Sequence, residues 1–249
     1  MTLCPIFGVQ ILNNRRNIMN RDNNLQGGDH ILPLGIYKEC FNYVNDGDSI
    51  CNIGSGITFK FEQELLKVKK VKISCIDIIP LNEKPKFIEK YINKEVEKLF
   101  YFKNKFDLIF FFELIEHIDK TDILFRNIYN NLKDNSLMIF SFPNLSSIYV
   151  RLELLLGFQP HILEISNISG VFGTGIFGKF NNPKKKSIHH IRGITNRGMK
   201  ELVRYNDFEI EKIVGWEYRL PFLFKKIPCI APINIFICRK ISNFKYNNL

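Results

Sequence analysis

The sequence predicts an α/β fold: a mostly parallel, twisted sheet of about seven strands with helices on both faces and one substrate-side insertion. Three observations predict it. Short, almost wholly apolar runs recur at residues 50–53, 71–76, 106–112 and 137–142, as strands covered on both faces require. Segments with apolar residues at helical spacing stand between them, at 59–68 and 122–132. The first run closes on Gly54-Ser55-Gly56, a turn that ends a strand and opens a helix.

Taken in order, residues 29–44 read as a lead-in ending in a helix, with Ile36, Tyr37, Cys40, Phe41 and Val44 on one face. Asp46-Gly47-Asp48 opens the first strand, and Thr58 is available to cap the helix at 59–68. The second strand ends at Asp77, 21 residues past Gly56. Strand, glycine turn, helix, strand, acid is the ground plan of a site for an adenosine-containing cofactor. Glycines admit a close backbone approach, and the carboxylate accepts bonds from ribose hydroxyls. A bare Gly-x-Gly is weak evidence; the acid at the end of the next strand makes the signal specific.

A Pro/Lys-rich connector at 80–90 leads to a weaker third strand within 87–93. Phe110, Phe111 and Phe112 belong to the core of the fourth, and Asp107 is expected to be structural. Lys133-Asp134-Asn135 is expected to end the helix at 122–132 before the strand at 137–142. Right-handed crossovers bring the strand C-termini to one edge, which carries Asn52, Asp77, Glu113 and Pro143-Asn144. Beyond Ser146 the pattern changes. Residues 147–156 look helical, whereas 157–196 carry Gly170, Gly173, Gly175 and Gly178 without periodicity, so 146–196 is expected to be a lid over the acceptor. Thr195 is placed to cap a last helix through Tyr205, and 208–214 and 234–239 read as closing strands around a Pro-containing excursion. Trp216 and Tyr218 are read as packing residues. Residues 1–28 are expected to be a mobile segment, with Met19 an alternative start to Met1, and 29–249 a single domain.

The chain has 249 residues, enough for one sizeable core. Its net charge of +10 raises nucleic acid or anionic membrane as partners. The densest basic cluster, Lys184-Lys185-Lys186, is short and follows Asn-Asn-Pro, so a solvated loop is expected and nucleic acid is not. Six cysteines without a Cys-x-x-Cys pair point to a reducing cytoplasm. No apolar run reaches the ~18 residues of a membrane span.

Taken together, these motifs resemble those of class I S-adenosylmethionine-dependent methyltransferases, most clearly over residues 46–144. Asn52-Ile53-Gly54-Ser55-Gly56 resembles the glycine motif, Asp77 the ribose-binding acid, and Lys94-Glu95-Val96-Glu97 the segment that reaches the adenine. Phe106-Asp107-Leu108-Ile109 followed by Glu113-Leu114-Ile115-Glu116-His117 is similar to the fourth strand and its turn, and Phe140-Ser141-Phe142-Pro143-Asn144 to the fifth. The resemblance implies a Rossmann-like fold and S-adenosylmethionine as cofactor. It implies that Asn52, Gly54, Ser55, Gly56, Asp77, Glu95, Val96 and Glu113 bind it.

Two positions depart from that pattern. Asn52 stands where the family has an acid, and Thr58 where it has a third glycine. The lost charge is expected to weaken contact with the cofactor's ammonium, so that Asn52→Asp tightens binding, and a catalytically impaired scaffold is the alternative it raises. Methyl transfer relies on positioning, and a hydroxyl acceptor gains from a base, for which His190 and His117 are the candidates, with His189 beside them. Some methyltransferases with a similar Glu-x-x-Glu-His turn use Mg²⁺; the metal-free reading is preferred here. The activity implied is O-methylation of a small molecule, glycan or lipid-linked intermediate, with RNA as a further alternative.

Overall fold

The computed structural model describes residues 34–181, 186–217 and 221–241. The segment 1–28, both candidate start methionines, Cys4, Lys184, Lys185 and Tyr218 lie outside the described residues. The chain runs α1 (Leu34–Phe41), β1 (Ser49–Ile53), α2 (Lys60–Leu66), β2 (Lys72–Asp77), β3 (Lys90–Asn93) and β4 (Phe106–Phe112). After a 3-10 turn at Ile115–His117 come α3 (Thr121–Asn131), β5 (Leu132–Pro143), α4 (Ile148–Leu155), α5 (Gly175–Asn181) and α6 (Asn196–Tyr205). β6 (Phe208–Trp216), α7 (Pro221–Lys226), a 3-10 turn at Pro228–Ile230 and β7 (Ile233–Lys240) complete the order.

The seven strands form one sheet in the order β3-β2-β1-β4-β5-β7-β6, parallel from β3 to β5, with β7 antiparallel to both neighbours. Alternation of side chains divides the apolar residues between two cores. Cys51, Ile53, Ile109 and Phe111 face one with α3 and α6; Ile50, Leu108 and Phe110 face the other with α1 and α2. The strand ends therefore converge on the edge that the sequence marks, with Gly54 following β1, Asp77 closing β2 and Glu113 following β4.

Several boundaries differ from expectation. Thr58 caps nothing: Phe59, in the left-handed conformation at φ 50°, takes the capping position of α2 without a side-chain bond. Lys133, Asp134 and Asn135 do not end a helix but begin β5, which starts at Leu132. The irregular register between β4 and β5 absorbs them, and Lys133 pairs with Asp107 at 2.7 Å. That ion pair and the bond from the Ser49 amide, at 3.0 Å, give Asp107 its structural role. β3 is limited to four residues. Thr195 caps α6 as expected, accepting from the Gly198 amide, and Ser147 caps α4 in the same way, accepting from the Val150 amide. The insertion contains the short helix α5, and several of its glycines sit where side chains crowd the backbone: a Cβ on Gly175 would strike Phe158, and one on Gly178 would strike Thr174. Trp216 is buried against Gly35 in the second core.

Candidate functional site

A cleft opens along the C-terminal edge of the parallel strands. Its walls include Gly54, Asp77, Ile78, Glu95, Val96 and His117. Gly56 stands beside it at φ +65°, with nothing within 4 Å of the position its Cβ would occupy. Glycine is thus needed there for the turn, and the space over it is free for a ligand. Gly54, at φ +74°, packs under Leu114, whose methyl lies 3.2 Å from the corresponding Cβ position.

Asp77 does two jobs in this geometry. Its Oδ2 accepts from the Gly56 amide at 2.8 Å and its Oδ1 from the Ile79 amide at 2.9 Å, which ties the glycine turn to the end of β2. Each carboxylate oxygen retains a second lone pair for a ribose hydroxyl. Burial pushes the carboxyl's pKa up, and the three backbone amides of Ile79, Gly56 and Ile78 oppose that shift. Glu95, paired with Lys98 at 2.9 Å, and buried Val96 line the far wall, where the adenine segment was expected. Ser55 turns its hydroxyl to the Gly56 carbonyl at 3.3 Å. A turn with open space over Gly56 beside an acid that has lone pairs to spare fits an adenosine-containing cofactor.

Two of the expected cofactor residues hold other partners. Asn52 is buried, and its amide donates to Glu62 Oε1 at 2.7 Å; Cys75 Sγ reaches the same oxygen at 3.3 Å. Burial raises the Glu62 pKa. The carboxyl absent at position 52 is therefore present ten residues later, facing the amide. No motif in the sequence marks Glu62; the one local signal for it is its place three positions before Leu65 on the apolar face of α2. Glu113 is likewise buried, in the left-handed conformation at φ 46°, and accepts from Ser141 Oγ at 2.7 Å on β5. Neither Asn52 nor Glu113 lines the cleft.

The insertion completes the other end of the site. The Glu116 carbonyl accepts from the amides of Ile191 and Arg192 at 3.0 and 3.3 Å, strapping residues 191 and 192 to the turn after β4. His189, at φ 57°, turns the chain so that its carbonyl meets His117 Nδ1 at 3.2 Å while the next side chain, His190, points inward. The two imidazoles meet edge to face with centroids 4.8 Å apart. His190 Nδ1 bonds to the Ile162 carbonyl at 2.7 Å, and its Nε2 lies 3.8 Å from Glu116 Oε1.

A carbonyl only accepts, so each ring turns an N–H on Nδ1 towards it, and in a neutral ring Nε2 then carries the lone pair. Burial lowers the His117 pKa to about 4, which keeps that ring neutral through the physiological range. Burial, reinforced by the charge of Glu113, drives the Glu116 pKa up, and both Glu116 carboxyl oxygens lack a hydrogen-bond partner. The imidazoles of His117 and His190 and the Glu116 carboxyl thus share a buried space, with one ligand atom from each lying within 4.8 Å of the others. The sequence marks Glu116 and His117 through the Glu-x-x-Glu-His turn and His190 separately; the structure brings Glu116, His117 and His190 together and turns Glu113 away to Ser141.

The methyltransferase domain family matches residues 32–213. No curated relative matches the sequence. Among solved structures, S-adenosylmethionine-dependent methyltransferases from Methanosarcina mazei and Archaeoglobus fulgidus superpose with TM-scores of 0.54 and 0.52 at 14% and 16% identity. They cover 82% and 83% of this chain and 98% and 92% of their own. Phosphoethanolamine N-methyltransferase 2 of Haemonchus contortus, solved with S-adenosylmethionine, superposes at a TM-score of 0.50 and 15% identity, over 84% of this chain and 52% of that one. At such identities the structural likeness establishes the fold.

Proposed function

The chain belongs to the S-adenosylmethionine-dependent methyltransferases, and we propose that it transfers the methyl group to a hydroxyl oxygen of a small molecule, glycan or lipid-linked intermediate. S-adenosylmethionine supplies a methyl carried on a sulfonium, which needs a nucleophile aligned behind it. In this reading the turn from Gly54 to Gly56 and the Asp77 carboxylate hold the cofactor, with Glu95 and Val96 along its adenine. Asn52 acts through Glu62 to fix the end of β1.

The observation that carries the oxygen assignment is the pairing of two buried imidazoles, each with its Nδ1 turned to a carbonyl oxygen and its Nε2 left as the basic nitrogen of the neutral ring. A hydroxyl placed among them donates its proton to Nε2 of His117 or His190 as the methyl group arrives. Burial strengthens that contact and excludes water. The test is methyl transfer from labelled S-adenosylmethionine to panels of phenols, glycans and polyprenyl-linked acceptors, with His117→Gln and His190→Gln alongside. The expected result is an O-methyl product whose kcat falls by roughly 10²-fold or more in both variants, with cofactor affinity retained. An N-methyl product, or unchanged kcat in both variants, contradicts the reading.

A second reading rests on the bare oxygens of Glu116. With the two Nε2 atoms beside them, Glu116, His117 and His190 would hold a divalent cation, which would supply Lewis-acid polarisation of the acceptor hydroxyl. Melting curves with Mg²⁺, Mn²⁺ or Zn²⁺ separate the two: stabilisation by a metal in the wild type, lost in Glu116→Gln, favours this reading.

A further inference from the structure

The helix α4 is built inside out. Its acid, Glu153, is 2% exposed and is held by His161, whose amide and Nδ1 bond to the carboxylate at 3.1 and 2.7 Å. Its apolar side chains face outward instead: Ile148, Leu152 and Leu154 are all exposed, Leu155 is 80% exposed, and Leu156 continues the row. Val150 is the one apolar residue of α4 that is buried. Exposing leucine while burying a carboxylate reverses the usual preference, so the outer face is not explained by packing among the described residues.

That face does not stand by itself. Tyr149 of α4 meets Phe224 of α7 with ring centroids 6.4 Å apart, and α7 shows Phe222, 84% exposed, and Leu223 on its outer side. At the other end of α4 the Gln159 amide bonds to the Gly173 carbonyl at 2.9 Å, which brings exposed Phe172 alongside. Ile168, 83% exposed, follows in the same insertion, and the bridge from Ser169 to Lys186 sets a lysine next to it. Arg151, Lys186, Lys225 and Lys226 are exposed around these apolar side chains, Lys225 being paired with Glu39. The whole chain carries a net charge of +10.

We infer that the outer faces of α4 and α7, with the adjoining insertion residues, dock the enzyme on an anionic lipid bilayer. The inference deepens the hydroxyl-methylation reading and rests on it for the acceptor class: a lipid-linked molecule, taken from the membrane surface into the pocket at His117 and His190. Charge complementarity selects the occupant, since the elements that carry the apolar face also carry exposed Arg151, Lys186, Lys225 and Lys226 while the acid of α4 is turned inward. α4 has eight residues, too short to cross a bilayer, so it lies in the interface with its leucines among the acyl chains. The topology puts the surface beside the site: α4 begins four residues after Asn144, and the same insertion delivers His190.

The experiment is co-sedimentation of the full chain, without cofactor or acceptor, with vesicles of phosphatidylcholine alone and of phosphatidylcholine with phosphatidylglycerol. Binding is expected to the anionic vesicles, weakening with salt, and to fall by roughly tenfold or more in the double variant Leu155→Glu, Phe222→Glu. Both residues are exposed, so thermal melting should be unchanged. Equal binding of wild type and double variant overturns the inference, as does absence of binding to anionic vesicles. So does sedimentation showing a dimer that the double variant dissociates while vesicles are ignored, which would assign the face to a second copy. Because binding is measured without methyl transfer, failure of the oxygen-acceptor reading leaves this result legible, and the converse holds.

Discussion

Asn52→Asp restores the acid that the family pattern carries and tests whether this chain has replaced it. In the structure the Asn52 amide sits 2.7 Å from Glu62 Oε1, with both residues buried. Two ionised carboxylates at that distance would repel by about 6 kcal/mol at an effective dielectric constant of ~20, so one of them must keep a proton. Glu62 already has a raised pKa from burial, and the new charge raises it further. A carboxyl whose folded pKa lies above its unfolded value contributes stability that is complete below the unfolded pKa. That stability is lost as pH rises through the folded pKa, at up to about 1.4 kcal/mol per pH unit. The variant should therefore match the wild type in urea unfolding near pH 5 and fall behind by about 3 kcal/mol near pH 8, with S-adenosylmethionine binding no tighter. If it is equally stable at both pH values and binds more tightly, position 52 speaks directly to the cofactor and the Glu62 argument is wrong.

Gly56→Val should abolish cofactor binding, because the side chain enters the open space over the turn, and should cost about 1–3 kcal/mol of stability from the positive φ; a calorimetric titration and a melt read the two effects. His117 has a folded pKa of about 4 against an ordinary 6.5, so its contribution is complete above 6.5 and is lost as pH falls towards 4. His117→Gln should flatten that acid limb of the stability profile by about 3 kcal/mol. Glu116→Gln removes a buried acid whose raised pKa makes stability fall with rising pH, so the variant should gain on the wild type between pH 5 and pH 8, which urea unfolding at the two pH values reads.

What the sequence disclosed follows from the range of the interactions involved. Strands such as Phe106–Phe112 are read from their apolar runs because burial on both faces leaves few polar choices, and Asp77 from its spacing to Gly56. The Asn52–Glu62 exchange was hidden because the position of one residue was compared with a pattern while its partner lay on the next helix. Thr58 failed as a cap because φ at Phe59 is set by the turn and not by local propensity. The pairing of His117 with His190 depends on a left-handed His189 and contacts spanning 72 residues, which no local spacing encodes. The outward leucines of α4 look like an ordinary helix in sequence; only the burial of Glu153 shows which way the helix faces.

The central claim is that the Asp77 carboxylate both pins the glycine turn and holds the cofactor ribose, and calorimetric titration of Asp77→Ala with S-adenosylmethionine tests it most directly. Losing charge-assisted bonds to the ribose should raise Kd by roughly 30-fold, about 2 kcal/mol, while a melt reports the separate loss of the bonds to Gly56 and Ile79. A variant that melts earlier but binds S-adenosylmethionine with unchanged affinity would contradict the account, leaving Asp77 as a brace of the turn and sending the search for the ribose site elsewhere along the strand edge.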